Sequence, residues 1–138
     1  MDKLLVDTNI VLDLLAEREL FLIEAQELFT LADQRKIILS VSSLTIANTY
    51  YILSQKLKIH DSRKILRKFK VLVNVLPVDD KIIDLSLDSD FNDFEDAIQY
   101  YSAIENRVDI IITRNLKDFK KSKLPVLTAK EYIESIKK

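Results

Sequence analysis

Two groups of carboxylates in the sequence stand at positions where the chain is predicted to change from one element to the next. Asp7 comes directly after the short apolar run Leu4–Val6, and Asp93 and Asp96 open a segment with helical spacing. A carboxylate at the carboxyl end of a buried strand points into the crevice where open sheets bind ligands. Convergent carboxylates select hard cations such as Mg²⁺ or Mn²⁺. These residues are therefore the first candidates for a metal site.

Each of these acids also has a structural interpretation. Asp7 suits the role of helix cap for the segment that starts near Ile10, and Asp93 suits the same role with Asp96 three residues later, as in a capping box. Acids in a first turn also favour the helix dipole. Asp96, however, borders an apolar stripe, where an unpaired carboxylate is costly and a bound cation would remove that cost. Asp13 is expected to face solvent.

Two further polar positions have open interpretations. Asn48 shares one side of its predicted helix with three apolar residues, namely Leu44, Tyr51 and Ile52. A polar amide there is either a satisfied core group or a ligand. Thr113, Arg114 and Asn115 follow the fourth predicted strand, where a ligand site is expected, and equally suit a turn and cap for Leu116–Phe119.

The residue types that the chain lacks exclude several kinds of site. There is no cysteine, so thiolate zinc sites, cysteine nucleophiles and disulfides are excluded. A single histidine, His60, excludes two-histidine metal sites and disfavours a serine–histidine triad. The absence of glycine excludes glycine-lined phosphate loops. Any chemistry therefore rests on carboxylates.

The charges are unevenly distributed although the net charge is −1. Residues 56–70 contain seven bases and one acid, residues 79–96 contain eight acids and one base, and residues 114–123 contain five bases and one acid. An acidic centre between basic stretches suits a metal site that also holds a polyanion. Solvated helix faces are the alternative explanation for the same pattern.

Strands and helices alternate along the chain. Strands are predicted over Leu4–Val6, Ile37–Val41, Val71–Leu76, Ile110–Thr113 and Leu124–Leu127, the last held to an edge by Pro125. Helices are predicted over Ile10–Leu15, Leu20–Arg35, from a Ser42 or Ser43 cap to Leu57, from an Asp61 cap to Phe69, over Asp79–Asp88 and Asp93–Asn106, and after a capping box of Thr128 and Glu131. This order predicts an α/β fold with a mostly parallel sheet of four to five strands covered on both faces.

The length and hydropathy suggest an ordinary globular protein. At 138 residues the chain is expected to form a single domain over residues 1–138. No apolar run approaches the roughly 20 residues that span a bilayer, and no signal-peptide pattern precedes the first strand. A cytoplasmic location without membrane association is therefore expected.

Four segments together resemble the PIN domain, a family that includes the VapC-type toxins of bacterial toxin–antitoxin pairs. They read Val-Asp-Thr-Asn-Ile after the first strand, Ser-Ser-Leu-Thr-Ile-Ala-Asn at a helix start, Phe-Glu-Asp-Ala-Ile, and Ile-Ile-Thr-Arg-Asn-x-x-Asp-Phe. The match runs in order over nearly the whole chain. The resemblance implies a three-layer α/β/α fold with an acidic pocket that binds Mg²⁺ or Mn²⁺. It also implies cleavage of single-stranded RNA by a metal-activated water.

The resemblance assigns roles to individual residues. Asp7 and Asp96 match family acids, whereas Asn48 stands where the family usually has glutamate and Asn115 where it often has aspartate. The predicted catalytic residues are Asp7, Asp93 and Asp96, and the predicted metal ligands are Asp7, Asp93, Asp96, Asn115 and Asp118. The predicted supporting residues of the pocket are Thr8, Asn9, Asn48 and Thr113, and the predicted RNA-binding residues are Arg114, Lys117 and Lys56.

Alternatives to this function stay open. Because two site positions carry amides, one alternative is a PIN-like module that binds RNA or a protein but cleaves poorly or not at all. An aspartyl-phosphate phosphatase also uses a strand-end aspartate, but it needs a second aspartate where this chain has Asn9. The family also implies an antitoxin partner and a homodimer. The stretch around Tyr50, Tyr51 and Leu57 suits a dimer contact, although these side chains are expected to pack in the core.

Overall fold

The segments predicted as strands pair in one parallel sheet. The computed structural model describes residues 1–137, and within them the sheet has five strands in the order β3-β2-β1-β4-β5. The strands are β1 (Lys3–Val6), β2 (Ile38–Ser42), β3 (Asn74–Leu76), β4 (Ile110–Ile112) and β5 (Val126–Leu127). All of the pairs are parallel, and β5 lies at an edge as Pro125 predicts. The predicted parallel sheet is therefore confirmed.

Helices cover both faces of the sheet. They are α1 (Thr8–Leu15), α2 (Leu22–Asp33), α3 (Ser43–Ser54), α4 (Ile59–Phe69), α5 (Asp80–Leu87), α6 (Phe94–Glu105) and α7 (Ala129–Ile136). Leu4 and Val6 pack into a cluster with residues of α1, α2 and α7. Leu5 points to the opposite face, where it packs with residues of α6. Alternating side chains of β1 thus create two cores, and the predicted three-layer α/β/α fold is confirmed.

The order of the strands creates a crevice beside β1. The chain moves outward from β1 through β2 to β3 and then crosses to β4 on the other side of β1. Such a reversal of strand order opens a crevice at the carboxyl ends of the two central strands. Val6 of β1 is level with Ile112 of β4. The residues that follow them, Asp7 and Thr113, are consequently neighbours at the mouth of this crevice.

Some of the predicted boundaries were wrong. Residues 70–72 form a 3₁₀ turn, so that β3 begins at Asn74 and Val71 is 86% exposed. Helix α3 ends at Ser54 and not at Leu57, and α2 is shorter than predicted at both ends. Asp61 does not cap α4: the helix begins at Ile59, and Asp61 lies in its first turn. An acid in a first turn favours the dipole without capping.

The expectation that Tyr51 and Leu57 pack in the core was also wrong. Tyr51 is 67% and Leu57 40% exposed. The side of α3 that is buried carries Thr45, Thr49 and Leu53. Helical spacing identifies which residues share a side, but it does not identify which side faces the sheet.

Three helices end in left-handed residues although the chain has no glycine to place there. Glu17, Arg35 and Arg107 have φ of 50°, 59° and 55° and follow α1, α2 and α6. At each of these ends the next amide reaches back to a carbonyl five residues earlier, as in Val108 N to Ala103 O at 2.9 Å. These are Schellman caps formed with non-glycine residues. Within residues 1–137, no helix is both long enough and apolar enough to cross a membrane.

Candidate active site

Asp7 is held at the end of β1 by bonds to both of its carboxylate oxygens. It is the N-cap of α1, where Oδ1 accepts a hydrogen bond from the Ile10 amide at 3.2 Å. Oδ2 accepts one from the Thr113 hydroxyl. The Thr113 oxygen in turn accepts the Asn115 amide at 3.0 Å, so its own hydrogen is committed to Asp7. Asp7 is 7% exposed, and this burial raises the pKa of its carboxyl, against the opposing effect of the Thr113 bond.

Asp96 lies in the first turn of α6. Its carboxyl is partly buried, and the negative charges of Asp93, Asp118, Asp7 and Glu95 surround it. Burial, followed by these four charges, raises the pKa of Asp96 to about 7. Burial and neighbouring negative charges both disfavour the ionised form of a carboxyl. The convergence of Asp7 and Asp96 on one metal ion stays a prediction.

Asp93 has a capping role at the same helix end. Its Oδ1 accepts the Asp96 amide at 3.1 Å, which makes it the N-cap of α6 as predicted. Asp93 and Asp118 are exposed, and both line a recess of about 100 Å³ together with Asp96. Three lysines of the same segment as Asp118 line it too, namely Lys117, Lys120 and Lys121. The recess therefore combines carboxylates that attract a cation with ammonium groups that attract a polyanion.

The five predicted metal ligands do not form one cluster. Within residues 1–137, no three aspartate, glutamate or histidine side chains are arranged to hold a metal ion together. Asp93 uses one oxygen as a cap, and Asp118 is exposed on the 3₁₀ helix Leu116–Phe119. The prediction that Asp93 and Asp118 join Asp7 and Asp96 in a single ligand set was therefore wrong. Two carboxylates nevertheless suit Mg²⁺, which usually takes one or two from the protein and completes its shell with water and substrate phosphates.

The two amides differ in burial and in their contacts. The Asn48 side chain is partly buried, and its Nδ2 donates to Glu95 Oε2 at 3.5 Å. It therefore bridges α3 and α6 and is not a core group. The Asn115 side chain is exposed and makes no capping bond to the 3₁₀ helix that follows it. Of the two interpretations of Asn115, a side-chain cap is excluded.

The expectation that Asp13 faces solvent was wrong, because Asp13 is buried against Arg114, whose binding of RNA stays a prediction. Asp13 is 1% exposed and accepts two hydrogen bonds from Arg114, at 3.0 and 3.1 Å. The Arg114 guanidinium also lies over the Phe21 ring at 3.9 Å, and Arg18 lies 3.7 Å from Asp13. Burial raises the pKa of Asp13, and the charge of Arg114 lowers it. A signal was present in the sequence, since Asp13 follows three apolar residues of a short helix.

The remaining predicted site residues are Thr8, Asn9 and Lys56, and they differ in their contacts. The Thr8 hydroxyl lies 3.1 Å from that of Thr45, at the amino end of α3. Asn9 accepts a hydrogen bond from Arg18 at 3.3 Å. Lys56 follows the opposite end of α3, which at twelve residues is about 18 Å long. Lys56 therefore lies at the far end of α3, and its contact with RNA stays a prediction.

Comparisons with known proteins agree on one family. A model described as PIN domain matches residues 3–117. The ribonuclease VapC1 of Aquifex aeolicus is 32% identical over 141 residues, which cover 96% of this chain and 94% of the relative. A chain of a toxin–antitoxin complex from Klebsiella pneumoniae superposes with a TM-score of 0.66 at 24% identity, covering 91% of this chain and 96% of that one. VapBC2 from Rickettsia felis, bound to a DNA fragment from its promoter, gives 0.64 at 18% identity, covering 90% and 96%.

Proposed function

Because the chain belongs to the PIN domain family, we propose that it is a metal-dependent endoribonuclease that cleaves single-stranded RNA. The observation that carries the proposal is the placement of the carboxylates: Asp7 ends β1 with both of its oxygens fixed, and Asp93, Asp96 and Asp118 line one recess. Uncompensated carboxylates in a crevice at the switch of strand order suit a cation and a bound phosphate. A relative named as a ribonuclease supports the same activity.

Asp7 and Asp96 would hold a magnesium or manganese ion. The ion supplies a hydroxide-like nucleophile and stabilises charge on the phosphoryl oxygens. Asp7 is suited to its task because the Thr113 hydroxyl and the Ile10 amide fix both of its oxygens. Asp93 acts by fixing the start of α6 and by adding negative charge, and Asp118 adds charge from the other wall of the recess.

The lysines of the recess would bind the RNA backbone. Lys117, Lys120 and Lys121 border the carboxylates from the segment that follows Asn115. Lysine ammonium groups attract phosphates without reading base sequence, and their contribution decreases as salt rises. Lys117 keeps the role that the sequence predicts for it, whereas Arg114 supports the site through Asp13.

Cleavage of single-stranded RNA by the purified protein tests the proposal. Cleavage should require Mg²⁺ or Mn²⁺, and Asp7→Asn or Asp96→Asn should each remove it. Asp33→Asn is the matched control, because Asp33 is an exposed acid at the carboxyl end of α2. A negative charge at that end of a helix does not stabilise it, so removing the charge should not destabilise α2. Cleavage that persists in EDTA, or in Asp7→Asn, would refute the assignment.

A second candidate is a PIN-like module that binds RNA or a protein without cutting it. The observation that favours this candidate is the presence of amides, Asn48 and Asn115, beside a pair of acids with no third metal-ligating carboxylate among residues 1–137. Wild-type protein that binds RNA in a salt-dependent way but leaves it intact at saturating Mn²⁺ would establish this module instead.

An antitoxin and a second copy of this chain are the proposed protein partners. The first is supported by the similar structures, since the one from Klebsiella pneumoniae is a toxin–antitoxin complex. For the second, Tyr51 is 67% exposed on α3, with Tyr50 beside it and Arg63 of α4 over the Tyr50 ring at 5.9 Å. A measured mass in solution that falls from dimer to monomer in Tyr51→Glu would support that contact, and a monomeric wild type would exclude it.

A further inference from the structure

A chain of hydrogen bonds runs beneath the carboxylate pair, from α6 through α3 to the residue after Asp7. Gln99 Nε2 donates to Thr45 Oγ1 at 2.8 Å, and Thr45 Oγ1 lies 3.1 Å from Thr8 Oγ1. Gln99 is 4% and Thr45 0% exposed, so that water does not compete for these bonds. The chain therefore links the two elements that carry the carboxylates: Thr8 follows Asp7, and Gln99 lies three residues after Asp96 on the same side of α6.

The direction of each bond follows from the supply of hydrogens. The Gln99 nitrogen is a donor and never an acceptor, so Thr45 Oγ1 accepts from it. Ser42 Oγ also donates to Thr45 Oγ1, at 3.4 Å. The single hydrogen of Thr45 is therefore left to donate to Thr8. Because Thr8 accepts that bond, its own hydrogen points elsewhere.

Thr8 is the end of this chain that solvent can reach. Thr8 is the half-buried member of the series, whereas Thr45 and Gln99 are buried. A hydroxyl whose oxygen already accepts a bond is polarised and is a stronger donor for its remaining hydrogen. Since Thr8 adjoins Asp7, a phosphoryl oxygen bound to a cation that Asp7 and Asp96 would hold is the acceptor that matches it.

We infer that Gln99 is a positioning residue for RNA cleavage, which acts through Thr45 to hold the Thr8 hydroxyl as a donor toward a phosphoryl oxygen. This inference rests on the proposed ribonuclease activity. A group that gains strength where negative charge develops stabilises the transition state more than bound substrate. Gln99 is buried while its Oε1 has no hydrogen-bond partner among the described residues, which lowers the stability of the fold. An apolar side chain would avoid this loss of stability, so the presence of glutamine agrees with a functional role.

Kinetics of RNA cleavage by variants of the full chain test this relay, by which we mean the hydrogen-bonded series Gln99–Thr45–Thr8. Thr8→Val should lower kcat about 100-fold, the effect of losing a donor to a charged transition state. Gln99→Leu and Thr45→Val should lower kcat by about 10-fold and leave KM unchanged, because these residues act on the phosphate only through Thr8. Thr45→Ser keeps the hydroxyl and should restore most of the rate. The double variant of Thr8→Val and Gln99→Leu should be no slower than Thr8→Val alone, because Gln99 acts only through Thr8.

Two matched controls separate the relay from general damage to the core. Ser102 on α6 and Thr49 on α3 are fully buried, and their hydroxyls have no hydrogen-bond partner among the described residues. Ser102→Ala and Thr49→Val should therefore leave kcat unchanged. Melting temperatures identify any variant that is unfolded. If Gln99→Leu is unfolded, the pair Thr45→Val and Thr45→Ser tests the same bond.

The possible failures are distinguishable. Wild-type protein that does not cleave RNA at saturating Mn²⁺ overturns the proposed function and this inference with it. Active wild type in which the Thr8 and Gln99 effects multiply, or in which Thr45→Val retains the wild-type kcat, overturns the relay alone. A lower kcat in Ser102→Ala equal to that of Gln99→Leu would also overturn it, since packing and not hydrogen bonding would then explain both.

Discussion

Replacing Asp96 by asparagine should stabilise the metal-free protein while it abolishes RNA cleavage. The pKa of Asp96 is about 7 in the folded protein, compared with an ordinary value of 3.8. Because the folded-state pKa is the higher one, ionisation of Asp96 opposes folding. This destabilisation is absent below about pH 4, grows as the pH rises toward 7 and is complete above it. Asparagine removes it, so the mutant should gain most at pH 8.

The size of the gain follows from the shift. A pKa raised from 3.8 to about 7 corresponds to about 4 kcal/mol, which is an upper limit. Asp96 is partly exposed, and solvent screening reduces this to about 2 kcal/mol. Loss of the favourable interaction between an acid and the first turn of α6 removes about 0.5 kcal/mol more. A net gain of about 1.5 kcal/mol corresponds to a melting temperature about 5 °C higher.

Thermal denaturation in EDTA at pH 5 and pH 8 measures this gain. The difference between Asp96→Asn and wild type should be larger at pH 8 than at pH 5, whereas Asp33→Asn should show no such pH dependence. A mutant that is less stable than wild type at pH 8, or a gain that is equal at both pH values, would refute the electrostatic argument.

Metal should reverse the order of stability. A cation at 100 times its dissociation constant stabilises the protein that binds it by about 2.7 kcal/mol. Wild type should gain this amount from Mn²⁺, and Asp96→Asn should lose most of it. Wild type would then melt above the mutant in Mn²⁺ and below it in EDTA. Equal stabilisation of both proteins would show that the cation binds elsewhere.

Three other predictions concern residues around the site and in the scaffold. Asn48→Glu or Asn115→Asp should lower the metal concentration that gives half-maximal cleavage, because each adds a carboxylate to an acidic centre. For the same reason each should lower the melting temperature in EDTA. An unchanged metal requirement would assign the amides a structural role. Asp13→Ala should cost about 1.5–3 kcal/mol in urea denaturation, because it removes two charge-assisted hydrogen bonds to the partly exposed Arg114 guanidinium, and a loss under about 1 kcal/mol would contradict this. Arg107→Gly should raise the stability by about 0.5–1 kcal/mol, since φ there is 55°, and a lower melting temperature would refute it.

Local signals predicted most of the fold. Apolar runs followed by polar residues identified β1, β2 and β4, and side chains that bond the nearby backbone identified Asp7, Asp93 and Thr128 as caps. The β3 boundary was wrong because Val71 reads as part of an apolar run while the backbone turns there. A run of apolar residues records the propensity of a segment, but the packing of neighbouring helices decides where pairing begins.

Non-local contacts account for what the sequence did not predict in the site. The Asp13–Arg114 pair joins residues 101 positions apart, and the Gln99–Thr45 bond joins residues 54 positions apart. Nothing in the local pattern around either residue identifies its partner. The ordered motifs located Asp7 and Asp96 because family resemblance carries information on distant contacts, whereas helical spacing around Asn48 does not reveal Glu95 as its neighbour.

The structural and functional interpretations of the acids are compatible, since the same bonds serve both. Asp7 caps α1 through Oδ1 and binds Thr113 through Oδ2, so the cap that begins the helix also fixes the orientation of the carboxylate. Asp93 caps α6 and thereby holds the turn that carries Asp96. A ligand that is already oriented loses little conformational freedom when a cation binds. The remaining cost is the electrostatic repulsion on the Asp96 carboxylate. A bound cation would compensate this charge and Asp96→Asn would remove it, so each should stabilise the protein.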